Sequence, residues 1–129
     1  MTTRNPVGWF EIYVEDMPRA KRFYEAVLGL PLQPLPSPEG TNADLEMYAF
    51  PMQQDAAGAA GALVRMPDYL PGAGGTIVYF ACEDCTVQER RCAAHGGQVI
   101  KEKFSIQPYG FVALIQDTEG NMVGMHSMR

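Results

Sequence analysis

One βα unit is written twice in this chain, 68 positions apart. Residues 9–32 (WFEIYVEDMPRAKRFYEAVLGLPL) laid over 77–100 (IVYFACEDCTVQERRCAAHGGQVI) match at Glu15/Glu83, Asp16/Asp84, Arg22/Arg90, Ala26/Ala94 and Gly29/Gly97. The identities fall at the joints of the unit. Each Asp sits where a strand ends and a helix must be capped, and each Gly sits where that helix must stop. The chain therefore reads as two similar halves, with the space between them the first place to look for a site.

Around the repeat, segments rich in aromatic and β-branched residues predict strands at 7–14, 44–50 and 61–66, with at most a short edge strand in the Pro-rich stretch 31–38. Asp16 caps a helix to about Leu28, whose buried stripe is Ala20, Phe23, Tyr24, Val27 and Leu28. The second half repeats the order: a strand at 76–82, a helix from Asp84 to about His95, and strands near 98–104, 110–116 and 121–127. The run from Asp117 to Asn121 turns the last two into a hairpin. The expected fold class is α+β, two βαβββ modules in tandem: module one 1–66, a Pro/Gly-rich linker 67–75, and module two 76–129.

Length and composition suit one globular domain: 129 residues, 47% hydrophobic and 19% charged. A net charge of −5, dispersed along the chain, argues against nucleic acid or an anionic membrane as partner. No apolar run reaches the roughly 20 residues of a membrane span, and MTTRNPVGW lacks the apolar core of an export signal, so a cytoplasmic location is expected. The three cysteines are then reduced thiols. Cys82, Cys85, Cys92 and His95 resemble a zinc set on paper. Residues 85 and 92 lie about 10 Å apart along one helix, too far for zinc–sulfur bonds of about 2.3 Å, so they read as small core hydrophobes. His95, at a helix end beside two glycines, reads as a partner of that helix's C-terminal dipole.

Strand alternation sorts the remaining candidates by face. Phe10, Ile12 and Val14 pack toward the helix, leaving Trp9, Glu11 and Tyr13 on the open face; Tyr79, and Met122 with His126, take the open face of the second half. If the sheets curve around one cleft, these residues line it. Glu11 is a carboxylate in an aromatic and aliphatic strand. It is either a general base or metal ligand, or else a group satisfied by Arg65 or a tyrosine. His126 carries the same pair of readings. Gln107-Pro108-Tyr109-Gly110 is a candidate lid over the cleft. Phosphate loops, nucleophile elbows and dinucleotide fingerprints are absent.

The segments VGWFEIYVEDMPRAKRFYEAVLGL and VALIQDTEGNMVGMHSM, with Asp16, Phe23, Tyr24, Leu28 and Gly29 in the first and Asp117, Gly120 and Asn121 in the second, resemble the two ends of vicinal oxygen chelate proteins. That superfamily groups glyoxalases, extradiol dioxygenases and bleomycin-resistance proteins. The resemblance implies an open-sided barrel of paired modules around a shared cleft, commonly in a homodimer. Its metal-dependent members place ligands at positions that here are Trp9, Ile77 and Gly124, with a fourth on the strand at 61–66 that offers no carboxylate or amide. No metal is expected at those positions, and no cofactor is expected. Two functions follow. The first is a small-molecule binder gripping a hydrophobic or planar ligand with Trp9, Tyr13, Tyr79 and Met122. The alternative is a lyase or isomerase whose chemistry has moved to Glu11 and His126, as an acid/base pair or a displaced divalent-metal site, removing a proton next to a carbonyl.

Overall fold

The computed structural model describes residues 5–36 and 44–129. In chain order the elements are β1 (Trp9–Tyr13), α1 (Met17–Leu28), β2 (Gln33–Pro34), β3 (Glu46–Ala49), β4 (Ala60–Arg65), β5 (Val78–Ala81), α2 (Cys85–Ala94), β6 (Gln98–Ser105), β7 (Phe111–Gln116) and β8 (Met122–Ser127). They form two four-stranded sheets ordered β1-β4-β3-β2 and β5-β8-β7-β6. In both, the first strand pairs parallel with the last and the other pairs are antiparallel. This is the expected α+β pair of βαβββ modules, and the sheets are not closed into a barrel. Residues 37 and 38 of the expected edge strand lie outside the described residues. Among the described residues no helix is long and apolar enough to cross a membrane.

The repeat's joints act as their chemistry requires at three of four ends. Asp16 accepts from the Arg19 N–H and Asp84 from the Thr86 N–H, each closing one open helix donor. Gly29 stops α1 in the left-handed conformation at φ 69°, its N–H bonded to the Glu25 carbonyl. The fourth end differs from expectation. His95 caps α2 and the left-handed residue is Gly96 (φ 94°), not Gly97. At Gly97 the constraint is space, since a Cβ there would come within 2.6–2.7 Å of the Cys92 sulfur, the Gln116 carbonyl and the Phe23 ring. The position needs a glycine for close approach rather than for turning the chain.

One core serves both modules. Ile12, Val14, Phe23, Tyr24, Val27 and Leu63 of the first pack with Cys85, Cys92, Ile115, Val123 and Met125 of the second. Half-buried Phe80 packs against this core, its ring 6.1 Å from Phe10, 6.0 Å from Tyr24 and 5.4 Å from Phe50, in tilted and edge-on geometries that aromatic rings prefer. Cys85 and Cys92 are fully buried free thiols in this core, while Cys82 is half-buried with its Sγ near the His126 carbonyl. Burial pushes the Cys82 and Cys92 thiols up to about 11 each, so both stay protonated and unreactive at neutral pH. Among the described residues no cluster of three or more His, Cys, Asp or Glu is placed to hold a metal ion.

Candidate functional site

Strand parity puts Trp9, Glu11 and Tyr13 on one face of β1, and they bond to each other. The Trp9 indole N–H donates to Glu11 Oε2 at 3.2 Å and the Tyr13 hydroxyl donates to Oε1 at 2.8 Å. Both carboxylate oxygens therefore have a donor, and the partner is aromatic rather than Arg65, which pairs instead with Glu46 at 3.4 Å. Burial, reinforced by the Glu11 charge and hydrogen bond, pushes the Tyr13 phenol up to about 12 and keeps it a donor. Beside this trio, Met47, Ala62 and Val64 are buried, and Tyr69 stacks on Tyr13 with centroids 5.2 Å apart. The module-one face is thus largely satisfied by its own side chains.

Module two is different. On the open face of its sheet, Tyr79, Ala81, Phe104, Ile106, Val112 and His126 line a concavity of about 510 Å³. Register explains the grouping: Phe104 opposes Val112, Val112 opposes His126, and His126 opposes Ala81, so one row of side chains crosses all four strands. The His126 ring is held by the Tyr109 carbonyl, 2.6 Å from Nε2. A carbonyl only accepts, so Nε2 carries a proton, and in that tautomer of the neutral imidazole Nδ1 is the acceptor. The turn bearing Tyr109, expected as a lid, is closed by Ile106 N–H to Gly110 O (2.8 Å) and Tyr109 N–H to Ile106 O (2.9 Å), and the His126 contact ties it down. Phe104, Ile106, Val112 and Ala81 were missed by sequence reasoning. Alternation along β5 and β7 carries a signal for Ala81 and Val112, but Phe104 and Ile106 lie beyond the register shifts of β6, and the pairing that aligns the row is a tertiary fact.

Trp9, Glu11 and Tyr13 do not line this concavity, and neither does Met122, which is half-buried at the start of β8 opposite Gln116. No hydrogen bond joins Glu11 to His126 among the described residues: each is engaged by other partners. The expected shared cleft thus resolves into two groups, one on each sheet. A larger hollow of about 810 Å³ along the 52–60 loop is walled mainly by alanine, glycine and amide side chains.

The superfamily's metal finds no fitting donors. Trp9 and Ile77 offer an indole and an alkyl chain, and β4 reads AGALVR, without a carboxylate or imidazole. As Tyr79 stands, Gly124 has no room for a side chain, because a Cβ there would lie 2.3–2.4 Å from the Tyr79 ring. Tyr79 occupies the space above the glycine. An aromatic wall stands at the position where a ligand carboxylate would start.

A second polar cluster, unexpected from sequence, joins the modules at the 117–121 turn. Asp117 is buried and accepts from the Tyr24 hydroxyl (2.6 Å), the Glu119 and Asn121 N–H groups (2.8 Å each) and Asn121 Nδ2 (3.1 Å). Glu119 accepts the Glu15 and Asp16 N–H groups at 3.0 and 2.9 Å and grips Arg19 through two bonds of 2.7 and 3.0 Å. Burial works to raise the Glu119 carboxyl, but Arg19, the backbone N–H groups and Thr118 outweigh it and hold it down at about 2. Asn121 completes the joint, donating to the Tyr13 carbonyl and accepting from the Gly72 N–H, both at 2.8 Å. The landmark Asp117, Gly120 and Asn121 is therefore a clasp between modules, distinct from the pocket.

Residues 7–47 match the family described as bleomycin resistance protein-like N-terminal. Over 113 residues, 87% of the chain, it is 33% identical to the mycobacterial protein CFP32 of Mycobacterium bovis and Mycobacterium tuberculosis, which bears the name glyoxylase. The chain spans 40% of the length of those curated relatives. Among solved structures it is similar to a glyoxalase/bleomycin resistance protein from Albidiferax ferrireducens T118 (TM-score 0.65, 20% identity, covering 94% of this chain and 98% of that one). It is also similar to TnmS3, an antibiotic-binding protein from Streptomyces sp. CB03234 (TM-score 0.63, 21% identity, 98% of each chain covered). At these identities the two structures speak for the fold.

Proposed function

We propose, from the premise that this chain belongs to the vicinal oxygen chelate superfamily on its glyoxalase and bleomycin-resistance side, that it binds a small planar, largely hydrophobic molecule. The observation that carries this reading is the apolar concavity of about 510 Å³ on the module-two sheet, walled by Tyr79, Phe104 and His126. Its size falls within the range of small-molecule sites, and flat polarisable walls suit flat ligands. Antibiotic binding by the similar TnmS3 points the same way. Trp9 and Tyr13 are a second aromatic contact surface. We take the chain to act as a homodimer, in which a second copy covers Tyr79, Tyr109 and Met128, left 50–70% exposed in one copy. Sedimentation of the purified chain tests this, a single monomer boundary at all concentrations being the contrary result.

The acid/base alternative needs Glu11 and His126 on one substrate. Within one chain Glu11 is held by Trp9 and Tyr13 and His126 by Tyr109, so binding is the better supported reading.

The test is a titration of 2-naphthol into the wild type and Ala81→Trp, followed by ligand fluorescence. Ala81 lines the concavity from an exposed position, so an indole there fills the space without entering the core. Saturable binding to the wild type, weakened about tenfold or more in the filled variant, is expected. Equal affinity in the two proteins would remove the concavity as the site.

A further inference from the structure

The walls of the module-two concavity carry more than apolar surface, and their polar atoms have a fixed pattern. His126, whose Nε2–H donates to the Tyr109 carbonyl, has Nδ1 as an acceptor when its ring is neutral. Two strands away in the same row stands Phe104, and above its ring, 4.1 Å from the centroid, lies the Lys101 ammonium. Lys101 itself opposes Leu114, on the same face as the Phe104–Val112 pair. None of the residues lining the concavity is a carboxylate, although the whole chain carries a net charge of −5. Lys103, the neighbouring cation, is already taken by Asp84 at 2.9 Å. An acceptor on β8 and, above β6, a cation that makes no ion pair among the described residues ask for opposite chemistry in a ligand: a donor, then an anion. Adjacent strands are about 4.8 Å apart, so the backbones of β8 and β6 that carry His126 and Phe104 are separated by about 10 Å, a span that matches two fused aromatic rings with a substituent at each end.

We propose that this pocket selects a planar two-ring aromatic acid, its hydroxyl donating to His126 Nδ1 and its carboxylate at the rim beside Lys101. The inference rests on the binding reading above and narrows it to a ligand class. The ring system lies between Tyr79 and Phe104, with Val112 beneath. The pattern disfavours a hydrocarbon, which leaves the imidazole lone pair without a donor, and a cationic aromatic, which is repelled by Lys101.

The experiment titrates 6-hydroxy-2-naphthoate, 2-naphthoate and 2-naphthol at pH 8 into the full chain and into Lys101→Met and His126→Phe, with circular dichroism as a check on folding. The wild type should prefer 6-hydroxy-2-naphthoate to 2-naphthol by about three- to tenfold, the scale of an exposed to half-exposed ion pair, and Lys101→Met should erase that preference. A hydroxyl preference over 2-naphthoate of about fivefold should vanish in His126→Phe. Lys101 is exposed, so its variant decides the matter even where the histidine variant does not fold. Equal affinity for all three probes, or a carboxylate preference that survives Lys101→Met, overturns the inference and leaves the binding reading standing. Absence of saturable binding by any probe overturns both.

Discussion

The two modules share an order of elements and divide the work of the molecule. In module one the β1 face is closed by its own side chains: Glu11 is held by Trp9 and Tyr13, and Tyr13 is covered by Tyr69. In module two the equivalent face keeps a concavity, because Gly124 leaves room for the Tyr79 ring and the row from Phe104 to Ala81 is apolar except for His126. The helices reverse the contrast. α1 buries Met17, Ala20, Phe23, Tyr24 and Val27, whereas α2 buries only Cys85 and Cys92. Burial of apolar area is the main source of stability, so module one supplies more of the shared core and module two supplies the open surface. Duplicated units can diverge this way, since one strongly packed copy allows the other to keep a poorly filled face.

The sharpest difference lies in the last hairpin of each module. In module two it is the five-residue clasp Asp117–Asn121; in module one the connection between β3 and β4 is a long exposed loop from 51 to 59. Asp117→Ala removes the acceptor of four bonds and leaves the Tyr24 hydroxyl buried without a partner. The expected loss of stability is about 3–5 kcal/mol, while Gln54→Ala in the module-one loop should stay within about 0.5 kcal/mol. Urea denaturation of both variants measures the contrast. Similar midpoints would mean that the clasp does not hold the modules together.

Much of this architecture was legible in the chain. Helices and strands followed from periodicity and from the capping pairs Asp16/Gly29 and Asp84, because those signals are local. The placement of Trp9, Glu11 and Tyr13 on one face was legible for the same reason. Three things were not. Gly97 was misread as a helix stop because close approach by Phe23 and Cys92 is a tertiary fact. The clasp was invisible because Glu119 and Arg19 are 100 residues apart. The pocket walls Phe104, Ile106 and Val112 depend on the register of β6 against β7, which is interrupted by shifts between Val99 and Lys101 and again before Phe104. Alternation counted from the sequence loses its phase at each shift.

Acid should separate the two modules' contributions. Glu119 is held at about 2, below the ordinary 4.5, chiefly by Arg19 and the Asp16 and Glu15 N–H groups of module one, with Thr118 of its own turn adding to them. A carboxyl depressed on folding adds stability above its unfolded pKa, and that stability is lost as pH falls from about 4.5 through 2. Glu119→Gln should therefore cost about 2 kcal/mol at pH 7 and flatten the acid limb of a stability–pH curve. Asp84, lowered to about 2 by Lys103 and the Thr86 N–H, titrates in the same window and should remain in that variant as a weaker residual slope. An unchanged acid limb in Glu119→Gln would assign the acid sensitivity elsewhere.

Ligand binding sharpens the comparison next. Tyr79 walls the open face of module two and is 50% exposed, whereas Trp9, 39% exposed, is tied to Glu11. Tyr79→Ala should weaken 2-naphthol by about 1–2 kcal/mol, the scale of a lost aromatic platform, and Trp9→Ala by less. Titration of both variants decides it, and a larger loss at Trp9 would move the principal contact to module one.

The smallest effect is expected at Glu11, and it separates a structural carboxylate from a chemical one. Its side chain is exposed, so replacing it with glutamine should change stability by less than about 1 kcal/mol, the amide oxygen still accepting from one of its two donors. The Tyr13 phenol should nonetheless respond. Its rise to about 12 comes first from burial and then from the Glu11 hydrogen bond and charge, so Glu11→Gln should lower it part of the way toward 10 and no further. Carbon-13 NMR of the Tyr13 ring carbon through alkaline pH reads that midpoint directly. A midpoint that stays near 12 would show that the carboxylate does not govern the phenol, and the module-one face would then owe its closure to Tyr69 and Val64 alone. A carboxylate with a catalytic role would behave otherwise: the same substitution would leave stability intact and abolish turnover of a substrate carrying an acidic proton beside a carbonyl.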